Sequence, residues 1–287
     1  MTVSAAAIAA AFVAACRDEL AAPKPGNVHV FADGHRMSVA DFLRSAEAAA
    51  GPLTEPGARV GQRIFDAVAA TRAAAGTNTN LGIVLLCAPL AAAAEIAAAN
   101  LRAALADVLE SLDIADANLA FQAIALAAPG GLGQADRHDV HAVATVTLRQ
   151  AMAEAAERDR IAHQFSTGFV DIFDRGLGCF DQAAARWPDP KWATLAVYLG
   201  FLAAFPDTHI ARRHGLVAAE DVRRTGRECE IRLQAADDPT VLLAGLLAWD
   251  TELKRRGLNP GTSADLTVAT LFARRLIGIL PPEPNSG

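Results

Sequence analysis

Apolar residues recur at three- and four-residue steps along almost the whole chain, and no stretch alternates apolar with polar residues between turn signals. A period near 3.6 places such residues on one face of a helix, whereas a half-buried strand needs a period of two. The pattern therefore confines the chain to helical architectures. Composition agrees, because 52% of the residues are hydrophobic, many of them alanine, while only 6% are aromatic. Good helix formers thus outweigh the residues that build strands. The reading is an all-α protein with a single multi-helix domain over residues 1–280, glycine-rich loops between the helices, and a loose tail at 281–287.

Caps and breakers predict where the helices lie. Segments 4–20 and 59–74 are expected to be helical, and Ser38 with Asp41 resembles a capping box that opens another helix ending near Gly51 and Pro52. The apolar run 81–100 reads as one helix bent near Pro89. Further helices are expected at 113–127, 139–156, 165–185, 192–204, 218–234, 240–256 and 263–280.

The net charge of -6 lacks the positive field that nucleic acid requires. Nucleic acid is not an expected partner. Cys16, Cys87, Cys179 and Cys229 lie far apart, without the paired spacing of zinc or disulfide-exchange sites, and suit a reducing compartment. The first basic residue is Arg17, and the longest mid-chain uncharged apolar run, 81–94, is shorter than the roughly 20 residues of a membrane span. The expectation is a cytoplasmic protein that crosses no membrane.

Chemistry is to be sought in the interruptions. Four of them combine glycine with small polar or charged residues: 23–29, 76–82, 129–133 and 259–265. Glycine lets backbone N–H groups approach a ligand closely, and a following helix start favours phosphate. Each loop also suits a plain turn with a cap. None has the Lys-Ser or Lys-Thr pair of a Walker loop. In the segment 205–215, Asp207, His209, Arg212, Arg213 and His214 gather a carboxylate, two imidazoles and two guanidinium groups, although Asp207 equally suits a helix cap. Between 134 and 141, Asp136, His138 and Asp139 could reach one metal or one substrate, and hard oxygen ligands of this kind suit magnesium.

Taken in order, Lys24-Pro25-Gly26-Asn27-Val28, Asn78-Thr79-Asn80-Leu81-Gly82, Asp207-Thr208 with Arg212 and Gly215, and Pro260-Gly261-Thr262-Ser263-Ala264-Asp265-Leu266 resemble the ATP:dephospho-CoA triphosphoribosyltransferase family over about residues 5 to 280. The resemblance implies an all-α transferase that moves the 5-triphosphoribosyl group of ATP to the ribose 2′-hydroxyl of 3′-dephospho-CoA and releases adenine. The product is the precursor of an acyl carrier protein's prosthetic group. The chain departs from the family pattern where Asn80-Leu81-Gly82 stands for His-Lys-Gly, where Arg36 stands near an expected acid, where Asn259 replaces serine, and where His209 replaces asparagine. Another ribosyl acceptor, as in one-carbon cofactor biosynthesis, and a non-catalytic nucleotide-binding helical module are the alternatives.

Breaking a bond from ribose C1′ to a purine nitrogen builds positive charge on the sugar, so the reaction needs an acid, a carboxylate and cations on the triphosphate. Asp207 and Asp265 are the expected carboxylates, with Asp265 kept ionised by a helix start. His29 and His209 are the expected proton carriers. Lys24 and Arg212, with Mg2+, are expected on the phosphates, and Gly26, Asn27, Asn78, Thr79, Asn80, Gly261 and Ser263 around the substrates. Asp207, Asp136 and Asp139 are the expected metal ligands. A homodimer is one arrangement open to the chain.

Overall fold

The computed structural model describes residues 3–35, 37–77, 79–129 and 139–281. Ser4 caps α1 (Ala5–Ala21) by accepting from the Ala7 N–H at 3.2 Å. The Ser38–Asp41 capping box opens α2 (Val39–Leu53), and α3 (Val60–Ala75) stops at Gly76, whose φ of 70° is left-handed. Next come α4 (Leu81–Ile96), α5 (Leu101–Ser111), α6 (Ile114–Ala127), α7 (Leu148–Ala155) and α8 (Arg160–Thr167). A π-helical turn at Asp171–Gly176 leads into α9 (Leu177–Ala184). The chain ends with α10 (Pro190–Ala204), α11 (Thr208–His214), α12 (Leu216–Ala235), α13 (Leu243–Arg255) and α14 (Gly261–Ile279). Strand-type pairing among the described residues is limited to two isolated bridges, His29 with Ala32 and Gly34 with Met37.

Four of the differences from the sequence reading have a clear local reason. The helix over 81–100 runs through Pro89 and breaks later, because Asn100 accepts from the Ala103 N–H at 3.0 Å and starts α5 at 113° to α4. The helix expected from 139 begins only at Leu148, where Thr147 and Gln150 form a capping box. The helix over 165–185 is split because Gly168 and Phe169 take positive φ values of 66° and 60°. Finally, α11 exists because Asp207 caps it.

α4 is apolar all round and buried, which fits a central core helix. The larger apolar core gathers α1 to α6 with α14, and a second core joins α10 to α12 and α13. Phe180 packs against both, so the helices form a single domain. Among the described residues no single helix is long and apolar enough to cross a membrane, and the bent α4–α5 pair carries the core just described. All four cysteines are free thiols.

Candidate active site

A cavity of about 1860 Å³ opens between the 27–37 segment, the α3–α4 loop, α6, the α7–α8 connection, α11 and the first turns of α14. The volume exceeds that of a single ordinary ligand pocket. Asp265, in the second turn of α14, lines it. No other described side chain hydrogen-bonds its carboxyl. The group has room because position 82 is glycine, where a Cβ would stand 2.1 Å from Asp265 Oδ2. The expectation that a helix dipole keeps this group ionised is corrected. Burial and the carboxylates of Asp207, Glu19 and Asp159 push Asp265 well above the usual carboxylate range, and Arg212 offsets only part of that.

Asp207 behaves differently. It is fully buried behind the wall, with Oδ1 accepting from the His209 and Ile210 N–H groups at 3.0 and 3.2 Å. Its Oδ2 accepts from the Ser263 N–H and hydroxyl, each at 2.8 Å. Four donors thus occupy both oxygens, and the residue ties the start of α11 to the start of α14. It is a structural cap and cross-link, which corrects its expected catalytic and metal-binding roles; Ser263 is consumed in the same link.

Lys24 is also not a surface cation. Its ammonium is completely buried and donates to Glu19 Oε1, to Asn27 Oδ1 at 3.1 Å and to the Val28 carbonyl at 2.8 Å. All three protons are spent, so the expected phosphate contact is corrected. Asn27 reaches the cavity and carries the link onward, donating to Asn259 Oδ1 at 2.8 Å. The Gly26 N–H donates to Asp250 Oδ1 at 2.8 Å, and its φ of 83° requires glycine there. His29 is buried with Nε2 3.3 Å from Asp250 Oδ1, away from the cavity lining, and burial lowers its pKa. It braces the loop on α13 and does not line the cavity, unlike the proton carrier it was expected to be.

The remaining expected residues divide. Thr79, His209, Arg212, Gly261 and Asp139 line the cavity. His209 packs over Gly261, and burial with the nearby Arg212 and Arg213 lowers its imidazole to about 4. It is a neutral group at physiological pH. Arg212 Nη1 lies 3.3 Å from Asp159 Oδ2, while its buried Nε has no partner among the described residues. Asn80 is buried beneath the wall, its Nδ2 likewise without a described partner. Asp139 accepts from the His141 N–H at 2.8 Å. Asn78 and Asp136 lie outside the described residues, and among those described no group of three or more ligating side chains could hold a metal.

Sequence reading missed Glu19, Asp159 and His35, all at the cavity, and gave Arg213 no role. Glu19 carried a signal, a carboxylate on the buried face of α1 five residues before Lys24. Asp159 caps α8, accepting from the Ile161 N–H at 2.9 Å, and looked like any other cap.

A crystal structure of a proposed triphosphoribosyl-dephospho-CoA synthase from Archaeoglobus fulgidus shares this fold, with a TM-score of 0.63 at 23% identity over 84% of this chain and 100% of the other. No curated protein matches the chain. Residues 5–282 match the ATP:dephospho-CoA triphosphoribosyl transferase family. With four ordered motifs folded around one cavity and the match running through nearly the whole chain, the protein belongs to that family of transferases.

Proposed function

We propose that this cavity transfers the 5-triphosphoribosyl group of ATP to the 2′-hydroxyl of 3′-dephospho-CoA, with Asp265 as the acid for the departing adenine. One observation carries the assignment of the acid. Asp265 is a carboxyl at the cavity that no described side chain satisfies, and its burial among other carboxylates favours the protonated form. Its proton goes to a ring nitrogen of the purine as the C1′–N bond breaks toward the base.

Arg213, exposed at the cavity and unpaired among the described residues, and Arg212 beside it supply charge for the triphosphate. His209, neutral in its buried seat, serves as a hydrogen-bonding wall. The nucleotide enters as its magnesium complex, the metal held by phosphate and water oxygens, an arrangement magnesium commonly keeps. Incubation with MgATP and dephospho-CoA, followed by mass spectrometry, should yield free adenine and an acceptor heavier by a ribose triphosphate. Formation of ADP instead would refute the reading, and adenine release with a different hydroxyl acceptor would change the acceptor alone.

A further inference from the structure

A transfer to a hydroxyl group requires a base as well as an acid, and Asp265 supplies only the acid. Glu19 also lines the cavity and lies close enough to Asp265 for its carboxylate to raise the proton affinity of Asp265. Only its Oε1 is engaged, by Lys24; Oε2 has no hydrogen-bond partner among the described residues. Lys24, held also by Asn27 and the Val28 carbonyl, is fixed by a network that continues through Asn27 to Asn259, next to the start of α14 that bears Asp265. Burying an ion pair this deeply costs more than its attraction returns in many proteins, so packing alone is a poor account of it. Two other titratable groups sense Glu19, the Cys16 thiol and the Tyr198 hydroxyl. Burial pushes both upward, so neither is ionised to compete as a base.

Resting on the transfer reading above, we propose that Glu19 is the base that takes the proton of the attacking acceptor hydroxyl, and that Lys24 is the positioning residue that keeps Glu19 anionic and aimed. In the step, the acceptor O–H gives its proton to Glu19 as the new C1′–O bond forms. The electron pair of the C1′–N bond leaves with the purine, which takes the proton of Asp265. The net proton count is unchanged, and the two carboxyls exchange one proton through solvent before the next turnover. Burial raises the proton affinity of Glu19 above that of a free carboxylate, which strengthens it as a base, while the charge and hydrogen bond of Lys24 act the other way.

The test uses the full chain with MgATP and measures adenine release. With dephospho-CoA, Glu19→Gln should lower kcat by at least about a hundredfold, with KM for ATP within about twofold of wild type. Azide needs no base, so adding it to Glu19→Gln should raise adenine release at least about tenfold and yield a triphosphoribosyl azide, while Asp265→Asn should show no such recovery. A merely structural role predicts no azide effect. If Glu19→Gln does not fold, Glu19→Gln with Lys24→Met removes both charges together, and the same azide recovery is expected. Activity of Glu19→Gln within about threefold of wild type, or loss of activity without azide recovery, overturns the role of Glu19 and leaves the transfer reading intact. A wild-type chain that frees no adenine with dephospho-CoA overturns the transfer reading and this role together.

Discussion

Two sets of motif residues around the cavity contrast in how completely their polar groups are satisfied. In the loop from Pro23 to His29 and in the Asp207–Ser263 link, three groups have their hydrogen-bonding capacity taken up within the protein. Lys24 spends three donors, Asp207 accepts four hydrogen bonds, and Gly26 is held on Asp250. Close by on the same helices, Asp265 and Arg213 have no hydrogen-bond partner among the described residues. Buried polar groups that pair fully with one another stabilise and orient a structure, whereas unpaired groups facing an opening are available to a ligand. Motif membership therefore does not identify chemistry by itself. Hydrogen-bond completeness separates the scaffold of this site from its reacting groups.

The largest effect expected from this contrast is on stability. Asp207→Ala removes the acceptor for four donors and unties α11 from α14, so it should cost about 3 kcal/mol or more in urea unfolding, combining a lost cap with orphaned buried N–H groups. A loss below about 1 kcal/mol would show that the link is not structural. Asp265→Asn should do the reverse. It should slow adenine release by at least about a hundredfold, equivalent to about 2.7 kcal/mol, while leaving the melting temperature unchanged or higher, since it removes a carboxyl from a crowd of carboxylates. If the Asn variant unfolds early and keeps its rate, the contrast between the two aspartates is inverted.

Much of the fold was legible because the chain carries its signals locally. The Ser38–Asp41 capping box, the stop at Gly76 and the apolar faces of α1, α3, α10 and α14 all rest on neighbours within four residues. The breaks at Asn100 and Thr147 were legible in principle, since both are ordinary caps inside apolar runs that mask them. The site was legible as a set of loops, and not as roles. Asp207 and Asp265 are both acidic residues beside helix starts, yet what separates them is the Ser263 N–H facing one and Gly82 facing the other, contacts made by residues 56 apart and by α4 against α14. No local pattern encodes such partners.

A smaller effect should appear at Arg213. Its side chain is exposed at the cavity and pairs with no described residue, so truncation disturbs no internal bond. Arg213→Ala should raise KM for ATP about tenfold with kcat and melting temperature nearly unchanged, as expected for loss of a charge-assisted contact to phosphate worth about 1.4 kcal/mol. An unchanged KM would move the triphosphate to another part of the wall.

The smallest effect concerns His209, the buried neutral imidazole of the wall. Its folded pKa is lowered to about 4 by burial first and then by Arg212, Arg213, His35 and His214, against an ordinary value of 6.5. Between those values the unfolded chain binds a proton that the folded chain refuses, so folding stability rises with pH in that window and falls as the solution is acidified below 6.5. The full contribution is present above 6.5 and is lost on the way down to about 4. Because part of the ring remains open to the cavity, the expected loss between pH 7 and pH 5 is about 1 kcal/mol, half of what the shift alone would give. His29 and His35 are also lowered by burial and contribute in the same direction, so the measurement must be differential. From urea unfolding, wild type should lose about that much more unfolding free energy than His209→Gln between pH 7 and pH 5. A constant difference across the window would place the imidazole in solvent and return it to the proton carriers.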